Sequence, residues 1–126
     1  MKCVYVTTNR VVSIKEVHEK TMLAELQQLV GGYIEVVRPR WLRSPYLMIV
    51  NEEGHLKGLP ENFIGCMLYE SISYDRTVFG SQIVGDIVIM KSGYNADGEP
   101  DIVGLNDKEA AEVFESLQIF LLGGIK

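Results

Sequence analysis

The stretch LAELQQLVGGYIEVV, residues 23–37, joins an amphipathic helix to a strand with only two glycines between them. Leu23, Leu26, Leu29 and Val30 recur at helical spacing, whereas residues 33–37 are aromatic and β-branched, so the apolar period switches across Gly31-Gly32. Glycine suits the left-handed position that ends a helix because it has no Cβ to clash there. Helical and extended segments in direct succession predict a mixed architecture.

Working outward, residues 4–8 and 11–17 read as two strands of a tight hairpin turning at Asn9-Arg10. A helix over 19–30 places Met22, Leu23, Leu26, Leu29 and Val30 on its apolar face. A strand over 33–38 leads into RPRWLRSP, a loop bracketed by Pro39 and Pro45, and the next strand is 46–51. Helical spacing returns between 57 and 70, with Pro60 suited to a first turn, Glu61 to its positive end, and Phe63, Ile64, Met67 and Leu68 on one side. After a polar connection over 71–81, the apolar run 83–90 reads as a central strand, and Gly93, Asn95, Asp97-Gly98 and Pro100 break structure over 91–101. Asn106 caps the last helix with Glu109 three residues on. Ala110, Val113, Phe114, Leu117, Phe120 and Leu121 line one side until Gly123-Gly124. The fold expected is α+β, one domain over 1–126, with a mainly antiparallel sheet of about five strands and two or three helices packed on one face.

With 126 residues, 47% of them hydrophobic, the chain has enough apolar surface for one core. Cys3 and Cys66 both sit in apolar runs and read as buried thiols of a cytoplasmic protein, and no targeting or membrane-spanning segment is expected. The net charge of −5 is uneven. Residues 1–50 carry seven Lys/Arg against four Asp/Glu, and residues 51–126 carry five against thirteen, giving balances of +3 and −8. That asymmetry fits a basic site for an anionic ligand, and it fits equally two solvated faces that attract each other in a dimer.

Catalytic and metal constellations have little support. There is no Cys-x-x-Cys or His-x-x-x-His, and His18 and His55 lie in separate polar contexts. Asn95-Ala96-Asp97-Gly98 resembles part of a calcium loop, but the bidentate glutamate would fall at Gly104. No glycine-rich phosphate loop is present, and both cysteines sit where a thiolate is disfavoured. A protein that is not an enzyme, with no cofactor and no metal, is the expectation.

Three stretches offer binding chemistry. Arg38, Arg40, Trp41 and Arg43 combine guanidinium groups with the single tryptophan; the competing reading packs Trp41 under a hairpin and leaves the arginines solvated. Tyr74, Asp75, Arg76 and Phe79 place two aromatics, an acid and a base on a polar loop, where Phe79 either stacks on a base or plugs the core. Tyr94, Asn95, Asp97 and Glu99 offer amide and carboxylate groups for a ribose, or act simply as turn formers. The second and third stretches lie at opposite ends of the expected central strand, separated by roughly 26 Å, so a shared pocket requires either that the loops fold back along the sheet or, the favoured reading, that it forms between protomers with one loop from each. Ile119, Phe120, Leu121 and Leu122 occupy more than one helical side, which also points to a homo-oligomer of at least two copies.

The segments LQQLVGGYIEVV (26–37), NEEGHLKGLPEN (51–62) and IVGDIVIM (83–90), with a terminal helix beginning at Asn106, resemble in this order a family of small uncharacterised domains found in phages and mobile elements. The resemblance implies a viral or prophage origin. In size and layout the chain also looks like the phage anti-Thoeris sponge proteins, which sequester the cyclic ADP-ribose signal made by bacterial TIR-domain defence enzymes. That likeness implies an oligomer in the host cytoplasm that binds a small nucleotide-derived ligand without cleaving it, with no membrane and no nucleic-acid duplex as partner. It also implies a pocket with a stacking aromatic beside Asn, Asp and Arg, for which Phe79, Asn95, Asp97 and Arg76 are the matching positions. The alternative is an acidic interaction protein that occupies a host defence protein.

Overall fold

The computed structural model describes residues 1–39, 42–70 and 83–121, apart from the side chains of 70 and 119–121. In chain order the elements are β1 (Lys2–Val6), β2 (Val12–Glu16), a 3-10 turn (Glu19–Thr21) running into α1 (Met22–Val30), β3 (Ile34–Val37), β4 (Tyr46–Asn51), α2 (Phe63–Glu70), β5 (Ile87–Tyr94), β6 (Pro100–Val103) and α3 (Asp107–Leu121). All strand pairings are antiparallel, in the order β2-β1-β5-β4-β3. The outer half of β5 additionally pairs with β6.

The α+β class and the antiparallel sheet are as expected, with six strands rather than about five. The helices divide between both faces of the sheet instead of sharing one. Leu47, Ile49, Val88 and Met90 pack with Leu26 and Val30 of α1, while Met48, Ile87 and Ile89 pack with Ile64 and Leu68 of α2 and with Ala110, Val113 and Leu117 of α3. The reason lies in β4 and β5. Their unbroken apolar runs LMIV (47–50) and IVIM (87–90) present hydrophobic side chains both up and down, and a sheet that is apolar on two sides needs cover on both.

Local boundaries also move. Gly31 ends α1 at φ 83°, and the N–H groups of Gly31 and Gly32 both donate to the Gln27 carbonyl at 2.9 and 3.0 Å, as the glycine pair predicts. Leu23, expected on the buried face, is 57% exposed. The first hairpin turns one residue earlier than expected: Arg10 N–H donates to the Thr7 carbonyl at 3.0 Å, so Thr8-Asn9 form the bend and Arg10 takes φ 64°. The central strand is shifted along the chain, because Gly85 at φ 79° and Asp86 precede it and residues 91–94 continue it. The break expected over 91–101 is therefore the β5–β6 hairpin, whose turn closes from the Gly98 N–H to the Asn95 carbonyl at 2.9 Å.

Helix α2 starts after Pro60 and Glu61, which the sequence placed inside it, because Asn62 is its cap. The Asn62 side chain is fully buried and each of its polar atoms is used. Its Oδ1 accepts from Gly65 N–H at 2.9 Å, and its Nδ2 donates to the carbonyls of Val6 at 3.1 Å and Gly85 at 2.9 Å. One amide thus fastens the start of α2, the end of β1 and the entry to β5. Asn62→Ala removes a cap and two further buried hydrogen bonds, and we expect a loss of about 2–4 kcal/mol in a urea titration. Retention of the parent midpoint would show that water replaces the amide at no cost.

At the other end of the sheet α3 opens with the expected capping box: Glu109 N–H donates to Asn106 Oδ1 at 2.7 Å, and Asn106 N–H donates to Glu109 Oε1 at 2.9 Å. The same carboxylate accepts from Lys91 Nζ at 2.8 and 2.9 Å, which ties α3 to β5. Partial burial opposes the charged form of Glu109. The Asn106 N–H and the Lys91 ammonium outweigh it and hold the carboxyl below its usual range. A lowered folded pKa contributes stability that is present above the ordinary carboxylate range and lost as pH falls through the folded value. Urea midpoints taken from about pH 6 down to about pH 3 should fall less for Glu109→Gln than for the parent, and parallel curves would refute the coupling.

Candidate functional site

Among the described residues a cleft of about 830 Å³ lies beside the N-terminal end of α1. Its inner surface is apolar, from Leu26, Ile34 and Ile102, which pack on the same core cluster. One side is formed by Glu19, Lys20, Met22 and Leu23, and the other by Ser92, Tyr94, Asn95 and Asp101. Glu25 steadies the first side. It accepts from the Thr21 hydroxyl and from the His18 backbone N–H at 3.2 Å, which fixes the turn carrying Glu19 and Lys20. The Thr21 hydroxyl, with His18 beside it, holds the Glu25 carboxyl below its usual range.

The second side follows from a mismatch in strand length. β4 begins at Tyr46, opposite Lys91, because the Tyr46 N–H turns back to the Arg43 carbonyl at 2.9 Å. β5 runs on to Tyr94 with β6 on only one side. Ser92 N–H still reaches the Pro45 carbonyl at 2.8 Å, so even-numbered residues of this strand direct their backbone groups toward β4. Pro45 has no N–H to return, and beyond it no strand among the described residues pairs with this edge of β5. Among the described residues, the carbonyls of Ser92 and Tyr94 and the N–H of Tyr94 have no hydrogen-bond partner.

Of the residues singled out from the sequence, the cleft brings together Tyr94 and Asn95. Tyr94 is 74% exposed at its rim. Asn95 Oδ1 accepts from the N–H groups of Asp97 at 2.9 Å and Glu99 at 3.0 Å, while its Nδ2 points to Asp101 Oδ2 at 3.4 Å, so this side chain shapes the turn. Asp97 is exposed on that turn and does not line the cleft, and neither does Arg43, which is exposed in the turn before β4. Arg40, Trp41, Arg76 and Phe79 lie outside the described residues. Sequence reasoning missed Lys20, Leu23, Ser92 and Asp101. The signal available was Asp97-Gly98, a hairpin dipeptide whose flanks 92–94 and 100–103 would then have read as strands.

Chemically the site offers an aromatic surface, backbone acceptors and a donor, carboxylates, and the ammonium of Lys20. Among the described residues no three of His, Cys, Asp and Glu are grouped to hold a metal ion. Both cysteines are buried, and burial pushes the Cys3 thiol up to about 11, which disfavours the thiolate that a nucleophile needs. No helix among the described residues is long and apolar enough to cross a membrane.

Comparison with known proteins returns no match among curated sequences and none among solved structures. A family model described as Domain of unknown function (DUF3846) matches residues 1–118 of the 126, and the chain belongs to that family.

Proposed function

We propose that the protein acts by binding rather than by chemistry, and that it captures a small nucleotide-derived signal in the cleft beside α1 and holds it without cleaving it. In this reading it is a phage-type anti-defence protein of the host cytoplasm, and the signal is of the cyclic ADP-ribose class. The observation that carries the reading is Tyr94, an exposed aromatic ring at the rim of a cleft whose volume of about 830 Å³ lies within the range of small-molecule sites. Around it, Lys20 supplies a cation for a phosphate, and Asp101 an acceptor for ribose hydroxyls.

A specific observation favours a second reading, an acidic protein that blocks a host defence protein. The hairpin carries Asp97, Glu99 and Asp101 with no cation paired to them among the described residues, and Leu23 adds an exposed apolar side chain nearby. Such a surface fits a basic partner with an apolar centre.

Thermal denaturation with ADP-ribose-type and cyclic oligonucleotide ligands separates the two. Occupancy at about 100 times the dissociation constant adds about 2.7 kcal/mol of stability to the parent. Tyr94→Ala should melt like the parent without ligand, because the ring is exposed, and should lose most of the ligand-induced shift. If no nucleotide moves the melting temperature, the second reading replaces the first. The proposal includes self-association as at least a two-fold dimer, so sedimentation at high micromolar concentration should show a species heavier than 14.2 kDa. A single species at that mass would remove the oligomer from the proposal.

A further inference from the structure

We propose that the open edge of β5 reads the ligand's base, and that the base is an adenine with an unsubstituted N1. This rests on the nucleotide-binding reading above and names the part of the ligand that the cleft selects. The reasoning starts from the polarity of the edge. Ser92 and Tyr94 are two apart on one strand, so the Ser92 carbonyl, the Tyr94 N–H and the Tyr94 carbonyl face the same side in the order acceptor, donor, acceptor.

That side is where β4 has already turned away. Pro45 cannot donate to Ser92, and the Arg43 carbonyl that would have met the Tyr94 N–H is occupied by Tyr46 N–H at 2.9 Å. Three backbone groups are therefore left pointing out of the sheet beside residues that line the cleft. Backbone groups are obligatory hydrogen-bonding groups, and a ligand that covers them must satisfy them.

Adenine does so with its own edge. Its 6-amino group is a donor and N1 an acceptor, and they match the Ser92 carbonyl and the Tyr94 N–H in the same way as the next strand of a sheet would. Since the readers are main-chain groups, the selection is independent of the side chain at 94, whose ring adds contact area. A purine without the 6-amino group leaves the Ser92 carbonyl unanswered. A purine alkylated or glycosidically linked at N1 has no lone pair there for the Tyr94 N–H, so ring-closed ligands joined through N1 are rejected and those joined elsewhere are admitted.

The test compares ADP with its 1-methyladenine and purine-riboside counterparts by calorimetry on the full chain, with the Tyr94 amide followed in a ¹⁵N-edited spectrum. We expect ADP to bind about tenfold or more tightly than either analogue, the discrimination of roughly one lost hydrogen bond to a buried group. The Tyr94 amide should shift with ADP and hardly move with the 1-methyl analogue. If all three bind equally, or the Tyr94 amide is unmoved while Tyr94→Ala still weakens binding, base reading by the edge is overturned and the cleft remains a nucleotide site. If none of the three binds, and no other nucleotide does, both proposals fall.

Discussion

Three backbone groups from separate parts of the chain converge on the side chain of Asn62, and the architecture depends on their being satisfied inside the core. The Val6 carbonyl at the end of β1, the Gly85 carbonyl in the turn into β5 and the Gly65 N–H in the first turn of α2 meet at a fully buried position, where a polar group without a partner is costly. A carboxamide is the one small neutral group that can accept one hydrogen bond and donate two. With it in place β1 and β5 approach closely enough to pair from Val4–Ile89 to Val6–Ile87. Asn51 acts in the same way at the far end of α1, where its Nδ2 donates to the Val30 carbonyl at 3.1 Å and its Oδ1 accepts from Glu53 N–H at 2.8 Å.

The β1–β5 contact is reinforced by a second polar link. Tyr5 donates its hydroxyl to Asp86 at 2.8 Å, and the other oxygen of that carboxylate accepts from Thr8 N–H at 3.0 Å. Burial, together with the adjacent carboxylate, pushes the Tyr5 phenol up to about 12, so it is protonated and a donor at neutral pH. β5 is thereby held between β1 and β4, and its outer half projects past the end of β4. The cleft exists because of that projection. Had β4 extended two residues further, its backbone would have covered Tyr94 and no edge would be open.

Leu23 and Tyr94 are exposed for a related reason. Helix α1 is anchored at its C-terminal end, where Asn51 holds the Val30 carbonyl, and it covers the sheet with Leu26 and Val30. Its first turn lies beyond the apolar part of β5, opposite Ser92 and Tyr94, so Leu23 meets the cleft instead of a strand. An apolar residue in helical register was thus left without a surface to bury against, and the hairpin brought an aromatic to the same place.

Much of the fold was legible in the sequence because it depends on near neighbours. The Gly31-Gly32 stop, the Asn106–Glu109 capping box, the strand from Tyr46 to Asn51 and the α+β class all follow from periods and caps spanning a few residues. The site was less legible. Tyr94 and Asn95 stood out by residue type, but the sequence placed them in a loop, since Gly93, Asn95, Gly98 and Pro100 carry turn chemistry whether or not strands flank it. Whether residues 91–94 extend a strand is decided by β6 pairing with them, and whether their other edge stays open is decided by where β4 turns at Pro45, some 50 residues earlier in the chain. The division of helices between the two faces of the sheet belongs with these. Local sequence set what each segment is, while the closeness of segments far apart in the chain, paid for by burial and by Asn62, set which backbone groups were left to bind something else.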